Sequence, residues 1–438
     1  MPFGIVSAPA ILTNIVVKLV DKLLPLSRDI MLNSVYMDDV LAGCNDEVNL
    51  STSIIECKNL FEQSGFKLLK IITNSPKIGE LLSADVAVRK VLGINWNMLT
   101  DEFWLDWKLD IEIKTKRDLL AYIEKCFDPL GLGIVDPVKL KFRLLFAKTA
   151  KLDWDDNLDQ DTLDSIGVLA SDMNMIQDIH FRRIVDTTAD LNCFCDASDY
   201  GYGYVVYVGD DIVFGKSKLA PKSKTIVDLE LLAMYEAVMA TSKIIGHLKF
   251  KGIVRILSVS QINIQRLAKS PNDHSIHVAR RLLKILTIGF EHKMEFRHIA
   301  GNLNPADIYS RGCSLSIFVE KECWLIDNKD LISKSDNPIP TKLICSVVRK
   351  TDSTLVSWLR SLKTTDKMAR FVDQILKWKE KACGSARRHD TFTLLCVAFQ
   401  RAEESQPERW FNEDSVVRFV SRHVISTTIL FGFQNVQF

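Results

Sequence analysis

No Cys-x-x-Cys pair occurs in the 438 residues, and the ten cysteines never gather with histidine at zinc-ligand spacing. Those gaps exclude the common structural zinc modules and a disulfide-framed secreted scaffold. Cys193 and Cys195 flank Phe194 in an apolar run, so they share one face of an expected strand and read as reduced core residues. No uninterrupted apolar stretch reaches the roughly 18 residues that a membrane-spanning helix needs. Met1-Pro2-Phe3-Gly4 has neither a basic n-region nor a cleavage site, so no signal peptide is expected. The expectation is an intracellular protein, in cytoplasm or nucleus, without membrane contact. A net charge is missing as well, with 56 Lys plus Arg against 55 Asp plus Glu. From Thr341 onward there are 16 basic and 10 acidic residues, against 40 and 45 before it. The first three-quarters is slightly acidic, which works against gripping phosphates unless basic residues gather locally.

What is present begins with core material: 47% of the residues are hydrophobic, and the length suggests roughly three domains. The run from Pro9 to Leu24 is apolar at helical spacing and predicts a buried helix. From Met31 to Cys44, two short apolar stretches flank Tyr36-Met37-Asp38-Asp39. Adjacent carboxylates at a tight turn repel unless a cation lies between them. A metal-holding hairpin and a solvated Asp-Asp tip are equally good readings of those residues alone.

From Leu191 the pattern changes to short strands, at Leu191 to Ala197, Tyr202 to Val208 and Ile212 to Lys218. Thr225 to Lys243 predicts an amphipathic helix, Ile253 to Ser258 a strand, Ser260 to Leu267 a helix and Met294 to His298 a last strand. Such an order predicts a sheet with both antiparallel and parallel pairs. Asp196 ends the first strand, Glu230 lies in the first turn of the long helix, and Asp307 follows Asn304-Pro305-Ala306. Each acid also has a bland reading: a turn residue, a helix-dipole partner and a helix cap, respectively.

Taken together, the motifs resemble the reverse transcriptase and ribonuclease H region of Pao/BEL-type LTR retrotransposon polyproteins. Pro2-Phe3-Gly4, Ser7-Ala8-Pro9 and the Tyr-x-Asp-Asp hairpin follow the order of a reverse transcriptase palm. Gly65-Phe66-Lys67-Leu68 with Lys70 and Asn74, then Leu92-Gly93-Ile94-Asn95-Trp96, resemble its end. More specific are Thr115-Lys116-Arg117, Phe127-Asp128-Pro129-Leu130-Gly131, Asp136-Pro137 and Leu152-Asp153-Trp154-Asp155. Lys218-x-x-Pro221, the three acids and Ser310-Arg311-Gly312 resemble the family's ribonuclease H. The resemblance covers roughly residues 1 to 330.

The resemblance implies an α/β and α+β multidomain chain. Its parts are a partial palm (1–110), a connection region (111–185), a ribonuclease H-like mixed sheet (186–315), a linker (316–345, centred on Ile332 to Thr341) and a helical tail (346–438). It also implies substrate contacts from Pro2, Phe3, Gly4, Tyr36, Met37 and Lys70 toward template and nucleotide. Metal and catalytic roles fall to Asp38 and Asp39 in the palm, and to Asp196, Glu230 and Asp307 in the ribonuclease H part, with Mg²⁺ or Mn²⁺ as cofactor. Two departures stand against activity. The family's first polymerase aspartate lies on a strand before Pro-Phe-Gly, and Asp21 and Asp29, expected in the first helix and its trailing turn, cannot replace it. In Leu257-Ser258-Val259-Ser260, Val259 stands where the family has an aspartate, and valine offers no oxygen to a hard cation. No Asp-[Ser/Thr]-Gly of the family's protease occurs, since Asp352-Ser353-Thr354 departs at its third position. Beyond the linker, Leu355 to Ala382, Asp390 to Ala402 and Asp414 to Ile425 predict helices. There His389 and His423 lack the cysteine pair of a zinc site, and the basic face reads as solvated surface. The expectation is a catalytically inactive fragment binding RNA–DNA hybrid weakly. The alternatives are a residual metal-dependent hybrid nuclease and a protein-interaction scaffold.

Overall fold

The computed structural model describes residues 8–20, 23–36, 39–65, 68–82, 88–91, 93–106, 112–125, 128–248, 250–269, 273–321, 327–339 and 427–433. The N-terminal part holds α1 (Ala8–Leu19), α2 (Pro25–Asn33), β1 (Val35–Tyr36), β2 (Asp39–Cys44), α3 (Glu47–Gln63), β3 (Leu68–Thr73) and α4 (Pro76–Leu82). The single helix expected from Pro9 to Leu24 is shorter. It stops at Leu19, and Pro25, whose fixed φ suits a first helical position, opens a second. Asp29 accordingly lies inside α2 rather than in a turn, where it accepts a hydrogen bond from Asn33 Nδ2 at 2.7 Å. Asp46 caps α3, accepting from the amides of Val48 and Asn49. Ile30, Met31, Val40, Ala42, Leu50, Ile54, Cys57 and Phe61 form the core of this part. α1 is not buried all round. Val16 and Val20 face the core, while Ile11 and Val17 are 43% and 47% exposed.

Next come β4 (Val88–Val91), β5 (Ile94–Asn97) and β6 (Glu102–Trp104), an antiparallel meander joined much later by β7 (Phe181–Arg182). The late strand is pinned by charge. Arg183 donates through Nε and Nη2 to the two oxygens of Asp101 at 2.6 and 2.7 Å, and the Trp96 indole donates to the same carboxylate. Three helices follow, α5 (Lys116–Lys125), α6 (Val135–Lys148) and α7 (Gln160–Ser171).

The second half holds β8 (Leu191–Ala197), β9 (Gly201–Val208), β10 (Asp211–Leu219), α8 (Ile226–Leu248), β11 (Val254–Ser258), α9 (Gln261–Leu267), α10 (Ile276–Glu291) and β12 (Glu295–His298). The strands form one sheet in the order β10-β9-β8-β11-β12. The first three pair antiparallel, and β11 runs parallel to both β8 and β12. This is the mixed sheet expected from the strand order. The helix α10 carries no element in the expectations above, although Val278, Leu282, Ile285 and Leu286 give it a helical stripe that packs beside α8.

Strand alternation sends side chains to two cores. Cys193, Cys195, Val206 and Ile256 meet α8 and α10 on one face, whereas Phe194, Val205, Tyr207 and Leu257 meet α5, α6 and α7 on the other. The helices of 116–171 and the sheet therefore share a continuous hydrophobic core across residues 185–186. The motifs singled out in this region turn out to be its fastenings. Arg117 pairs with Asp155 through two bonds, the Arg117 amide donates to the Trp154 carbonyl, and Thr115 bridges Asn157. The Gly215 amide of β10 donates to the Gly131 carbonyl at 2.9 Å, and Lys216 reaches Asp136 at 3.1 Å.

After β12 come α11 (Asp307–Arg311), α12 (Leu315–Glu320) and α13 (Asn328–Ser333). Where it is described, at 316–321 and 327–339, the stretch expected as a linker is folded. Leu315 and Phe318 are fully buried, and the amides of Asp336 and Ile339 donate to the carbonyls of His298 and Phe296, covering the free edge of β12. The tail helices expected beyond residue 346 lie outside the described residues. β13 (Thr427–Phe433) is described, and it pairs antiparallel with both β2 and β3, in a sheet ordered β1-β2-β13-β3.

Candidate functional site

The acids of the second half converge where β8 ends. Asn192, Phe194 and Asp196 alternate on the face that carries the α11 side of the core, which aims Asp196 at α11. α11 lies almost directly on the sheet because β9 has glycine beneath it. A Cβ on Gly203 would sit 2.7 Å from the Tyr309 carbonyl oxygen and 2.5 Å from that of Lys216. Asn304 sets the entry to the helix. Its Nδ2 donates to the Cys195 carbonyl at 3.1 Å, and its Oδ1 accepts from the Ala306 amide. Gly312, at φ +70°, ends the helix in the left-handed region that glycine adopts freely.

Within this frame Asp196 is only 7% exposed and accepts a short hydrogen bond from Ser310 Oγ. Burial, reinforced by the charge of Asp307, raises its carboxyl above the usual range, while the Ser310 hydroxyl and the Arg311 guanidinium oppose that rise. Asp307 is paired along its own helix, with Arg311 Nε 2.6 Å from its Oδ1. The Asp307 contact raises the Arg311 guanidinium in turn. Glu230 comes from the α8 side, and its charge joins that of Asp196 in raising the buried Cys195 thiol after burial itself.

The expected fourth position differs in kind from the three acids. Val259, immediately after β11, packs against the cluster containing Leu257, Ile299, Ala306 and Ile308. Its serine neighbours are already engaged. Ser258 Oγ accepts from the Ser260 amide, and Ser260 Oγ caps α9 by accepting from Asn263. Asn263 Nδ2 also donates to the Val227 carbonyl, fastening the start of α8 beside Glu230. Among the described residues no group of three or more His, Cys, Asp or Glu side chains could hold a metal ion. The donor set thus does not fit a two-metal centre. The position expected for a fourth ligand, 259, carries hydrocarbon, and two of the three acids are held by Ser310 and Arg311.

The other candidate residues lie in the N-terminal part. β1 and β2 pair antiparallel as expected, Val35 opposite Val40 and Tyr36 opposite Asp39. The backbone of Asp39 lies between those of Tyr36 and Gly432, and Lys70 of β3 also pairs with Gly432. Pro2, Phe3, Gly4, Met37 and Asp38 lie outside the described residues. Reading the sequence singled out Asp196, Glu230 and Asp307 but gave Ser310 and Arg311 no partners. The three- and four-residue spacing from Asp307 was the available signal.

Residues 115–262 match the family model described as Pao retrotransposon-like RNaseH-like domain. No curated protein matches the chain. Among solved structures it is similar to a foamy viral protease-reverse transcriptase in complex with double-stranded DNA, at 15% identity and a TM-score of 0.46, over 69% of this chain and 60% of that one. A version of that protein marked dRH, also with double-stranded DNA, gives 15% identity and a TM-score of 0.45 over 66% and 48%. The complex with RNA/DNA hybrid gives 15% and 0.43 over 68% and 38%. The chain therefore spans between 38% and 60% of these proteins' length.

Proposed function

We propose that this chain, a retroelement protein of the reverse transcriptase and ribonuclease H type, is a nucleic-acid-binding protein that holds RNA–DNA hybrid without cleaving it. The observation that carries the reading is Val259 seated in a hydrophobic cluster at the acidic corner. Hydrolysis by two clamped ions needs bridging carboxylates, and one of the positions offers none. Mg²⁺ or Mn²⁺ would find Asp196, Glu230 and Asp307 only, two of them already engaged.

The binding half rests on local charge. Although the chain is nearly neutral, Lys216, Lys218, Lys222 and Lys224 fall in nine residues without an acid. Arg266, Lys269, Arg280, Arg281, Lys284 and Lys293 stand against only Asp273 and Glu291. These stretches lead into α8, which carries Glu230, and away from Val259, so they flank the acids in sequence. Lys222, Lys224, Lys269, Arg280 and Lys284 are exposed, which suits contact with a phosphate backbone. The palm remnant adds a second reading. Ile11, Val17, Leu24 and Leu32 leave apolar surface uncovered on α1 and around α2, which suits a protein-interaction scaffold.

The test is a labelled hybrid titrated with the full chain, with anisotropy for binding and gel analysis for cleavage in Mg²⁺ and in Mn²⁺. Expected are salt-sensitive binding, weakened by Lys222→Glu with Lys224→Glu, and no cleavage in either ion. Cleavage abolished by Asp196→Asn would instead establish a working nuclease. Absence of binding at low salt would remove the nucleic-acid reading and leave the scaffold.

A further inference from the structure

We infer that the space between β2 and β3 is a strand-acceptor site, and that its ligand is the chain's own segment 427–433. The sheet needs an added strand to close. β1 is two residues long, and among the described residues β3 has no strand partner except β13. Without β13 there remain a short hairpin and a lone strand, and a two-stranded hairpin by itself is marginal in water. The facing edges of β2 and β3 would then present rows of unpaired amides and carbonyls, the usual template for strand addition. In the structure Thr427 to Gly432 pair antiparallel with Cys44 to Asp39, and Ile429 to Phe433 pair with Thr73 to Leu68.

The site selects its ligand by apolar pattern rather than by charge. Val40 and Ala42 of β2 lie in the core formed with α1 to α4, and Ile71 of β3 packs against it. Ile72 lies instead in a second cluster with Val91, Trp96 and Met98, and Leu41 packs against that one. The sheet is covered on both faces here, and a strand buried on both faces is a continuous apolar run rather than an alternating one. Ile429-Leu430-Phe431 is such a run. Its register sets Leu430 between Leu41 and Ile72, and Phe431 between Val40 and Ile71. Residues 427–433 carry no charged side chain, so the ligand class is an extended, uncharged, apolar peptide. The added strand also brings no carboxylate to Asp39, whose partner on it is Gly432. This role is separate from hybrid binding and needs no nucleic acid.

A native thiol makes the pairing testable. Cys44 is a free, half-buried cysteine and stands opposite Thr427. Directly opposite residues of an antiparallel pair lie about 4.5–5.5 Å apart at Cα, within the span of a disulfide. The experiment is Thr427→Cys in the full chain, oxidised by glutathione disulfide, which is reduced as the new S–S bond forms, and read by peptide mapping. Expected is a link within one chain between Cys44 and position 427, abolished by adding Cys44→Ser. Thr428→Cys, one residue along and on the other face of the strand, should give none. A second measurement uses Leu430→Pro, because proline cannot donate to a central ladder, with a fluorescein-labelled peptide of residues 425–436. The peptide should bind this variant, and bind wild type on the order of tenfold more weakly or less, since there the site is already filled. A link joining two chains would seat a second copy's strand in the site and overturn the assignment to the chain's own segment. Equal linking by Thr428→Cys overturns the register. No link in a folded Thr427→Cys, or equal peptide binding by wild type and Leu430→Pro, overturns the site itself.

Discussion

Returning an acid to the fourth position, Val259→Asp, separates packing from chemistry. Val259 is partly buried against the cluster that contains Leu257, Ile299, Ala306 and Ile308. Full burial of a valine is worth roughly 1.5–3 kcal/mol, so a part-buried one forfeits about 1 kcal/mol when replaced by a carboxylate. The new charge also joins Asp196, which burial and Asp307 already push toward its neutral form. A further like charge at such a corner costs on the order of 1–2 kcal/mol. Without divalent ions the variant should lose about 2–3 kcal/mol in urea unfolding at neutral pH, with an unchanged slope on denaturant. Adding Mg²⁺ should return part of that loss to the variant and nothing to the wild type, because a bound ion converts repulsion into ligation. If Val259→Asp matches the wild type in EDTA, position 259 is not packed as described, and the argument from hydrocarbon at the ligand position fails with it.

Other perturbations probe the frame around the site. Burial, with the charge of Asp136 adding to it, raises the Asp128 carboxyl to about 6, against the amides of Leu132 and Gly133 and the charge of Lys216. Its Oδ1 is shut off from solvent without a hydrogen-bond partner, although the residue as a whole keeps some exposed surface. The folded chain therefore holds this proton more tightly than the unfolded chain does. The stabilisation is complete below pH about 4 and is lost as pH rises through about 6, up to roughly 3 kcal/mol in all. Asp128→Asn should remove that pH dependence in urea unfolding, and a variant that keeps it would refute the assignment. Gly203→Ala should destabilise by about 1–3 kcal/mol, since the added methyl meets the Lys216 and Tyr309 carbonyl oxygens rather than flexible side-chain ends; a melting midpoint equal to wild type would show that α11 sits higher on the sheet. Asp101→Asn leaves the buried Arg183 without its carboxylate. A loss of roughly 3 kcal/mol or more is expected in chemical unfolding, and a loss under 1 kcal/mol would mean that Arg183 finds another acceptor.

The ribonuclease H-like sheet was legible in the sequence because its strands alternate between two fully buried faces bounded by turns. Leu191 to Ala197 was read to the residue, and β9, β10 and β11 to within a residue or so at each end. Those runs carry their own period, so no distant partner is needed to recognise them. The segment 332–339 was misread because its Pro and Asp residues look like a linker, while what holds it is backbone pairing to the edge of β12, which leaves no mark on side-chain composition. β13 escaped for a related reason, since its partners β2 and β3 lie more than 350 residues away in sequence. In the site the acids were visible as acids at strand and helix ends. The Ser310 bond to Asp196 depends on where α11 rests, and that depends on the bare backbone of Gly203, whereas the Arg311–Asp307 pair lies within the helix itself.

On the proposed reading, the same packing accounts for a fold that persists without metal chemistry at this corner. The carboxylates of a metal centre are a liability to stability once the ion is gone, because each is a charge drawn from water and set beside others of its sign. Here two of the three acids have an answer in the chain. Asp196 has Ser310, Asp307 has Arg311, and the position between the serines has become hydrocarbon and part of the core. The motifs further upstream behave alike: Thr115-Lys116-Arg117 and Leu152-Asp153-Trp154-Asp155 fasten one another, and Gly131 and Asp136 fasten β10. Persistence of these motifs is therefore what packing alone requires. Their presence does not by itself distinguish a catalytic chain from one in which they only fasten the fold.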